Sequence, residues 1–158
     1  MGEFKKNDDV NMQGVKAIEE AVEKLYGGEP QQIEHYGVLM PWRLGGNDPL
    51  DGISIFDGGE YYHFVTFGLS ELYEKETNDP DYSGFGFEFT IKLKKSCVED
   101  EEGELRCMAG ILQALARISY KEGDIFAPEE YIYTGQTAGM DVEQKSAITG
   151  FITKEDEL

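Results

Sequence analysis

Four residues in the middle of the chain, Asp79, Asp81, Glu88 and Lys92, are of the types that hold a divalent cation and orient a water molecule. In a metal-dependent nuclease, carboxylates bind magnesium while a lysine positions the attacking water. That arrangement needs a lysine two residues after the acid, and Thr90 stands there. A small metal-dependent hydrolase or nuclease built on these four residues is the alternative reading of the chain. The run Asp79-Pro80-Asp81-Tyr82-Ser83-Gly84 also opens like a calcium loop, with oxygen donors at the first, third and fifth places and glycine at the sixth. The twelfth place, where a bidentate Glu belongs, is Thr90, so the run reads as a loop with solvated acids.

Other reactive residues are sparse. His35 and His63 lie in strand-like surroundings, and no His-x-x-x-His, Cys-x-x-Cys or His-Glu-x-x-His spacing offers a zinc site. His63 falls on the face opposite Tyr62 and Phe64 and is expected to be a hydrogen-bonded sheet histidine. Cys97 and Cys107 flank a polar loop and are expected as free thiols, although a disulfide closing that loop is geometrically conceivable. Gly84-x-Gly86 sits inside a strand-like run rather than opening a helix, which excludes a nucleotide loop. Ser70 and Ser83 have no basic partner suggested by the sequence, and there is no Gly-x-Ser-x-Gly elbow. No catalytic residue, metal ligand or cofactor is expected.

The elements that must position these residues follow from periodicity. Phe85, Phe87, Phe89, Ile91 and Leu93 alternate with polar residues, which predicts a long amphipathic strand over 84–94 at the centre of the sheet. Val15, Ile18, Val22 and Leu25 fall at helical spacing from Gly14, with a stop at Gly27-Gly28. Ile33–Met40 reads as a strand ended by Pro41, and Trp42–Asp51 as a turn region. Strands at 53–56 and 61–67, joined by Asp57-Gly58-Gly59-Glu60, predict a hairpin. Gly68–Tyr73 is expected to form a helical turn and 74–82 a mobile acidic loop. A second helix is predicted over Gly103–Tyr120, ended by Gly123, with short strands at 125–126, 131–133 and 147–153. The order α-β-β-β-β-α-β-β with hairpin-length loops gives an α+β fold, a mostly antiparallel sheet with two main helices packed on it. Residues 1–13 read as a flexible lead-in to one domain over 14–158.

Charge narrows the partners. Lys and Arg number 14 against 32 Asp and Glu, a net charge of −18. Such a field repels nucleic acid and anionic membrane and draws in basic partners, although solubility alone also accounts for it. No stretch is apolar for the length a membrane helix needs, and the N-terminus lacks the apolar core of a secretory signal. The final Glu155-Asp156-Glu157-Leu158 has Glu where a retention signal needs Lys. A cytoplasmic location is expected.

Three separated motifs carry a resemblance. Gly68-Leu69-Ser70-Glu71-Leu72-Tyr73, then Ser83-Gly84-Phe85-Gly86-Phe87-Glu88-Phe89-Thr90, and upstream Leu44-Gly45-Gly46-Asn47-Asp48-Pro49-Leu50-Asp51 are similar to the signature of the Suppressor of fused family. The resemblance covers about 14–158 and implies that the family's following strand and helix are missing, by truncation. It implies a non-enzymatic domain that binds a protein or peptide, since the family's full-length animal members clamp a transcription-factor peptide between this domain and a second one. Stand-alone bacterial copies imply an immunity protein that neutralises a polymorphic toxin, for which a basic nuclease is an electrostatically suitable target. Matching by position, the resemblance implies contact residues at Ile118, Glu130 and Glu155. Ile118 reads more readily as helix core. Asp48 and Asp51 read as turn caps or as partner contacts.

Overall fold

The computed structural model describes residues 12–73, 78–135 and 139–158. Helix α1 (Gln13–Tyr26) is followed by strands β1 (Gln32–Gly37), β2 (Gly52–Asp57), β3 (Tyr61–Phe67) and β4 (Thr90–Lys94). Helix α2 (Glu101–Glu122) and strands β5 (Tyr131–Tyr133) and β6 (Gly150–Ile152) complete the chain. The element order is the one the periodicity predicts. The strands form two antiparallel sheets, a four-stranded one in the order β1-β2-β3-β4 and the β5–β6 hairpin. Residues 1–11, most of the expected lead-in, and 74–77 of the expected acidic loop lie outside the described residues.

Both helices stop where the sequence places a glycine. Gly27 and Gly123 adopt left-handed backbone and return their amides to Glu23 and Ser119 carbonyls. Helix α2 starts two residues earlier than predicted, because Asp100 caps it by accepting from the Gly103 amide. Glu101, Glu102 and Glu104 in its first turn suit the positive end of the helix dipole.

The helices cover opposite faces of the sheet. On one, Ile53, Ile55, Tyr62 and Phe64 pack with Leu105, Ala109, Leu112 and Ala116 of α2. On the other, Phe56, Val65 and Phe67 pack with Val22 of α1. Alternation along β3 puts Phe64 on the α2 face and Val65 on the α1 face, and both are fully buried. Each such apolar side chain contributes roughly 1.5–3 kcal/mol on burial, which fixes the strand register. The hairpin β2–β3 is also as predicted, with the Gly59 amide donating to Asp57 Oδ1 at 2.8 Å.

The strand expected at the centre of the sheet, β4, lies instead at its edge, and it is shorter than the alternation predicts. It begins at Thr90, and 83–89 is a folded loop instead. Gly84 and Gly86 have φ of 58° and 83°, outside the strand region. The Gly86 amide closes a turn on the Ser83 carbonyl, and the Phe85 amide bonds to the Leu69 carbonyl. Phe85, Phe87 and Phe89 still pack against the α2-side core, so the apolar face survives without the ladder. Residues 68–73 form bends rather than the expected helical turn, Ile125–Phe126 is not a strand, and β1 and β6 are shorter than expected. Cys97 and Cys107 are free thiols.

Candidate functional site

The three motifs converge on one hub beneath α2, and Glu88 is its pin. The strand reading put Glu88 on a solvent face, but the loop turns it inward. One carboxylate oxygen accepts from the amides of Gly68 at 2.9 Å, Leu69 at 3.1 Å and Ser70 at 2.9 Å, and from the Ser70 hydroxyl at 2.7 Å. The other accepts from Thr66 Oγ1 at 2.6 Å. Burial pushes the carboxyl above its usual range, against the pull of these five donors. Gly84 allows the close approach, since a Cβ there would lie 2.5 Å from the Leu69 carbonyl oxygen.

Helix α2 clamps the hub from above. Tyr120 donates to the Gly68 carbonyl, and burial pushes its phenol up to about 12. Gln113 bonds both backbone groups of Leu50 at 3.1 and 3.3 Å, and Arg117 pairs with Asp48 and the Asn47 carbonyl. Burial, then Asp51, raises the Tyr73 phenol, which hydrogen-bonds that carboxylate. A Cβ at Gly68 would lie 2.8 Å from the Asp51 amide, so the two turns touch through backbone. Trp42 meets Tyr120 edge-on at 5.8 Å between ring centroids. Asp48 and Asp51 thus both have partners inside the fold.

Beside the hub lies a cleft of about 760 Å³. Its floor is Phe87, Phe89 and Ile91, its walls Leu112 and Leu115 of α2 and Ile132 and Phe151 of the hairpin, and Phe126 stands between. Phe87 and Phe89 meet edge-on at 5.1 Å, and Phe126 contacts both at 6.2 and 5.6 Å. Lys92 and residues 153–158 form the rim. A pocket of this size with an aromatic floor takes apolar side chains of a ligand, while polar rim groups fix its direction.

Of the positions matched by resemblance, Glu155 is on this rim. Ile118 is half-buried on α2, three residues beyond the cleft wall at Leu115. Glu130 precedes β5, where its amide and carbonyl both bond to Thr153. The hydrolase set is dispersed: Glu88 is pinned in the hub, and Lys92 pairs with Asp156 at 3.2 Å on the α1 face. Asp81 borders a shallow depression with Glu88, and Asp79 accepts from the Asp81 amide. Among the described residues no group of three His, Cys, Asp or Glu side chains could hold a metal.

His63 sits in a network that the sequence did not reveal. It is fully buried, with Tyr26 of α1 at 2.6 Å from Nδ1 and Asp156 at 2.9 Å from Nε2. A carboxylate only accepts, so Nε2 carries a proton toward Asp156, while Nδ1 faces the Tyr26 hydroxyl. Thr90 also donates to Asp156. Burial opposes the Asp156 charge, yet Thr90, His63, the Glu157 amide and Lys92 together hold its carboxyl well below the usual range. Burial also leads the causes that raise Tyr26 far above an ordinary phenol. His35 is placed differently, near the edge, with Nδ1 at 2.8 Å from Ser54 Oγ.

The sequence profile described as Suppressor of fused protein (SUFU) matches residues 46–158 of this chain, the part holding the hub and the cleft. The chain belongs to the Suppressor of fused family. The human and mouse Suppressor of fused homologs are each 30% identical to it over 132 residues, which cover 75% of this chain and 27% of theirs. The chain thus spans about a quarter of those curated relatives. The crystal structure of a Sufu–Fu complex superposes with a TM-score of 0.74 at 26% identity, covering 91% of this chain and 67% of that one. Drosophila Suppressor of Fused shares the fold, with a TM-score of 0.72 at 24% identity over 96% of this chain and 38% of that one.

Proposed function

We propose that this chain is a non-enzymatic protein-binding domain whose partner lays an extended, apolar segment into the cleft between β4, α2 and the β5–β6 hairpin. The observation that carries the reading is the phenylalanine-floored cleft beside a hub whose one inward carboxylate, Glu88, is fully engaged with backbone amides and hydroxyls. A carboxylate so tied is a poor metal ligand or base, which weighs against the hydrolase alternative on Glu88, Lys92, Asp79 and Asp81. Membership of a family with a member solved as a Sufu–Fu complex supports a protein partner.

The finer reading is a cytoplasmic bacterial immunity protein that neutralises a basic, nuclease-type toxin. The net charge of −18 supports a basic partner, because opposite fields speed encounter and discourage wrong pairings. Ile118, Glu130 and Glu155 are its proposed contacts, with Glu155 at the cleft rim. Asp48 and Asp51 contribute as supports of the hub.

The test is selection of displayed peptides on the immobilised chain, followed by calorimetry of an enriched peptide on wild type and Phe126→Ala. Apolar peptides with flanking lysines should be enriched and should bind the variant about tenfold more weakly, as expected for a lost aromatic anchor. Equal affinity for both proteins would remove the cleft from the proposal.

A further inference from the structure

We infer that Thr66, which lies outside the lining of the cleft, is its positioning residue: the hydroxyl joins the Glu88 carboxylate to the backbone of Phe89 and so fixes the aromatic floor that receives a partner's apolar segment. The inference rests on the reading of the cleft as the binding site and names what holds that site in shape.

Thr66 stands where β3 and the segment before β4 part. The register of the two strands ends at Val65 opposite Thr90. One step further the pairing is half made. The Thr66 amide still donates to the Phe89 carbonyl at 3.0 Å. Two residues opposed in this way ordinarily exchange both backbone bonds. Here the Phe89 amide donates instead to Thr66 Oγ1 at 2.8 Å. The same hydroxyl donates to Glu88 Oε2 at 2.6 Å. A hydroxyl has one proton to give and two lone pairs, so it serves both neighbours at once, which a methyl group in that place would not. Thr66 is fully buried, so the link belongs to the interior.

The consequence falls on the cleft. Glu88 turns into the hub, and its neighbours Phe87 and Phe89 form the floor on either side of it. Phe89 makes the shorter contacts to both other rings, 5.1 Å to Phe87 and 5.6 Å to Phe126. Its amide and its carbonyl are both held by Thr66, and the carboxylate next to it is held by the same hydroxyl. At the other end of the segment the Phe85 amide is tied to the Leu69 carbonyl. Phe87 and Phe89 are only partly buried, so these backbone ties, rather than packing on every side, set the direction of the rings. A floor fixed in advance lowers the ordering cost of binding.

Calorimetry of the selected peptide on Thr66→Val and Thr66→Ser tests the assignment. Thr66→Val keeps the size and removes the hydroxyl, and it should weaken binding about fivefold, the scale on which a residue acting through others shifts affinity. Thr66→Ser loses a buried methyl but keeps the hydroxyl, and it should bind like wild type even where its denaturation midpoint falls. Asp100→Ala, destabilised at the start of α2, should also bind like wild type. In the free protein, nuclear Overhauser contacts between the Phe89 and Phe126 rings should weaken in Thr66→Val and persist in Thr66→Ser. Unchanged ring contacts in Thr66→Val overturn the assignment. Weakened binding by Thr66→Ser overturns it too, and that result stands even if Thr66→Val fails to fold. If Phe126→Ala weakens binding and Thr66→Val does not, the cleft stands and the positioning role falls. If Phe126→Ala binds equally while the ring contacts still follow the hydroxyl, the proposed function falls and the hold of Thr66 on the floor is upheld.

Discussion

Glu88 shows how one side chain can set the conformation of a turn distant in sequence. Its carboxylate replaces water for three consecutive amides, which no strand or helix would satisfy at residues 68–70. Glu88→Ala should therefore destabilise by roughly 2–4 kcal/mol, since several donors are left unpaired at about 1–3 kcal/mol each before relaxation. Thermal and urea denaturation would read this, and a loss below 1 kcal/mol would mean that water replaces the carboxylate. Asp156 makes a pH-dependent contribution. Its folded carboxyl lies below the unfolded value, so the stability it adds is present above about pH 4 and is lost as the pH falls through the range below that. Tyr26, His63, Lys92 and Glu157 face it. Asp156→Asn should flatten the acid limb of a stability–pH profile; an unchanged limb would assign it to other carboxylates.

At the scale of elements, caps and close approaches decide the boundaries. Asp100→Ala should lower stability by about 1 kcal/mol through loss of the α2 cap, measurable by denaturant titration. Gly84→Ala should cost more, because a Cβ would meet the Leu69 carbonyl and φ is positive there. Both helices, the hairpin and the order of elements were legible because their signals are local: an apolar stripe, a glycine stop, a two-strand alternation. The segment 84–89 was not. Its alternation of Phe and polar residues is that of a strand, but periodicity counts faces and is blind to two glycines with positive φ. It also places Glu88 on the wet side, where nothing in the local sequence announces that residues 68–70 need an acceptor. The same holds for the site. The phenylalanines of the cleft floor were visible, whereas His63 and Asp156 are 93 residues apart and share no motif. Their meeting depends on the path of the chain after β6.

Across the whole molecule, charge is the dominant unbalanced quantity. Excess acid charge repels itself in the compact state, and salt screens it over a Debye length that falls from about 30 Å at 0.01 M to about 8 Å at 0.15 M. The melting temperature should therefore be higher at 0.15 M than at 0.01 M sodium chloride. A fall would show that the ion pairs Lys95–Asp57, Arg117–Asp48 and Lys92–Asp156 outweigh the repulsion. Association with a basic peptide should slow over the same range, and an on-rate indifferent to salt would separate the charge from partner choice. Trp42, the one tryptophan of the sequence, rests against Tyr120 at the hub, while Asp156 and its neighbours lie across the sheet. The protein therefore carries a built-in optical probe that watches one end only. Indole emission would register collapse of the region under α2 and stay dark to events at the carboxyl end.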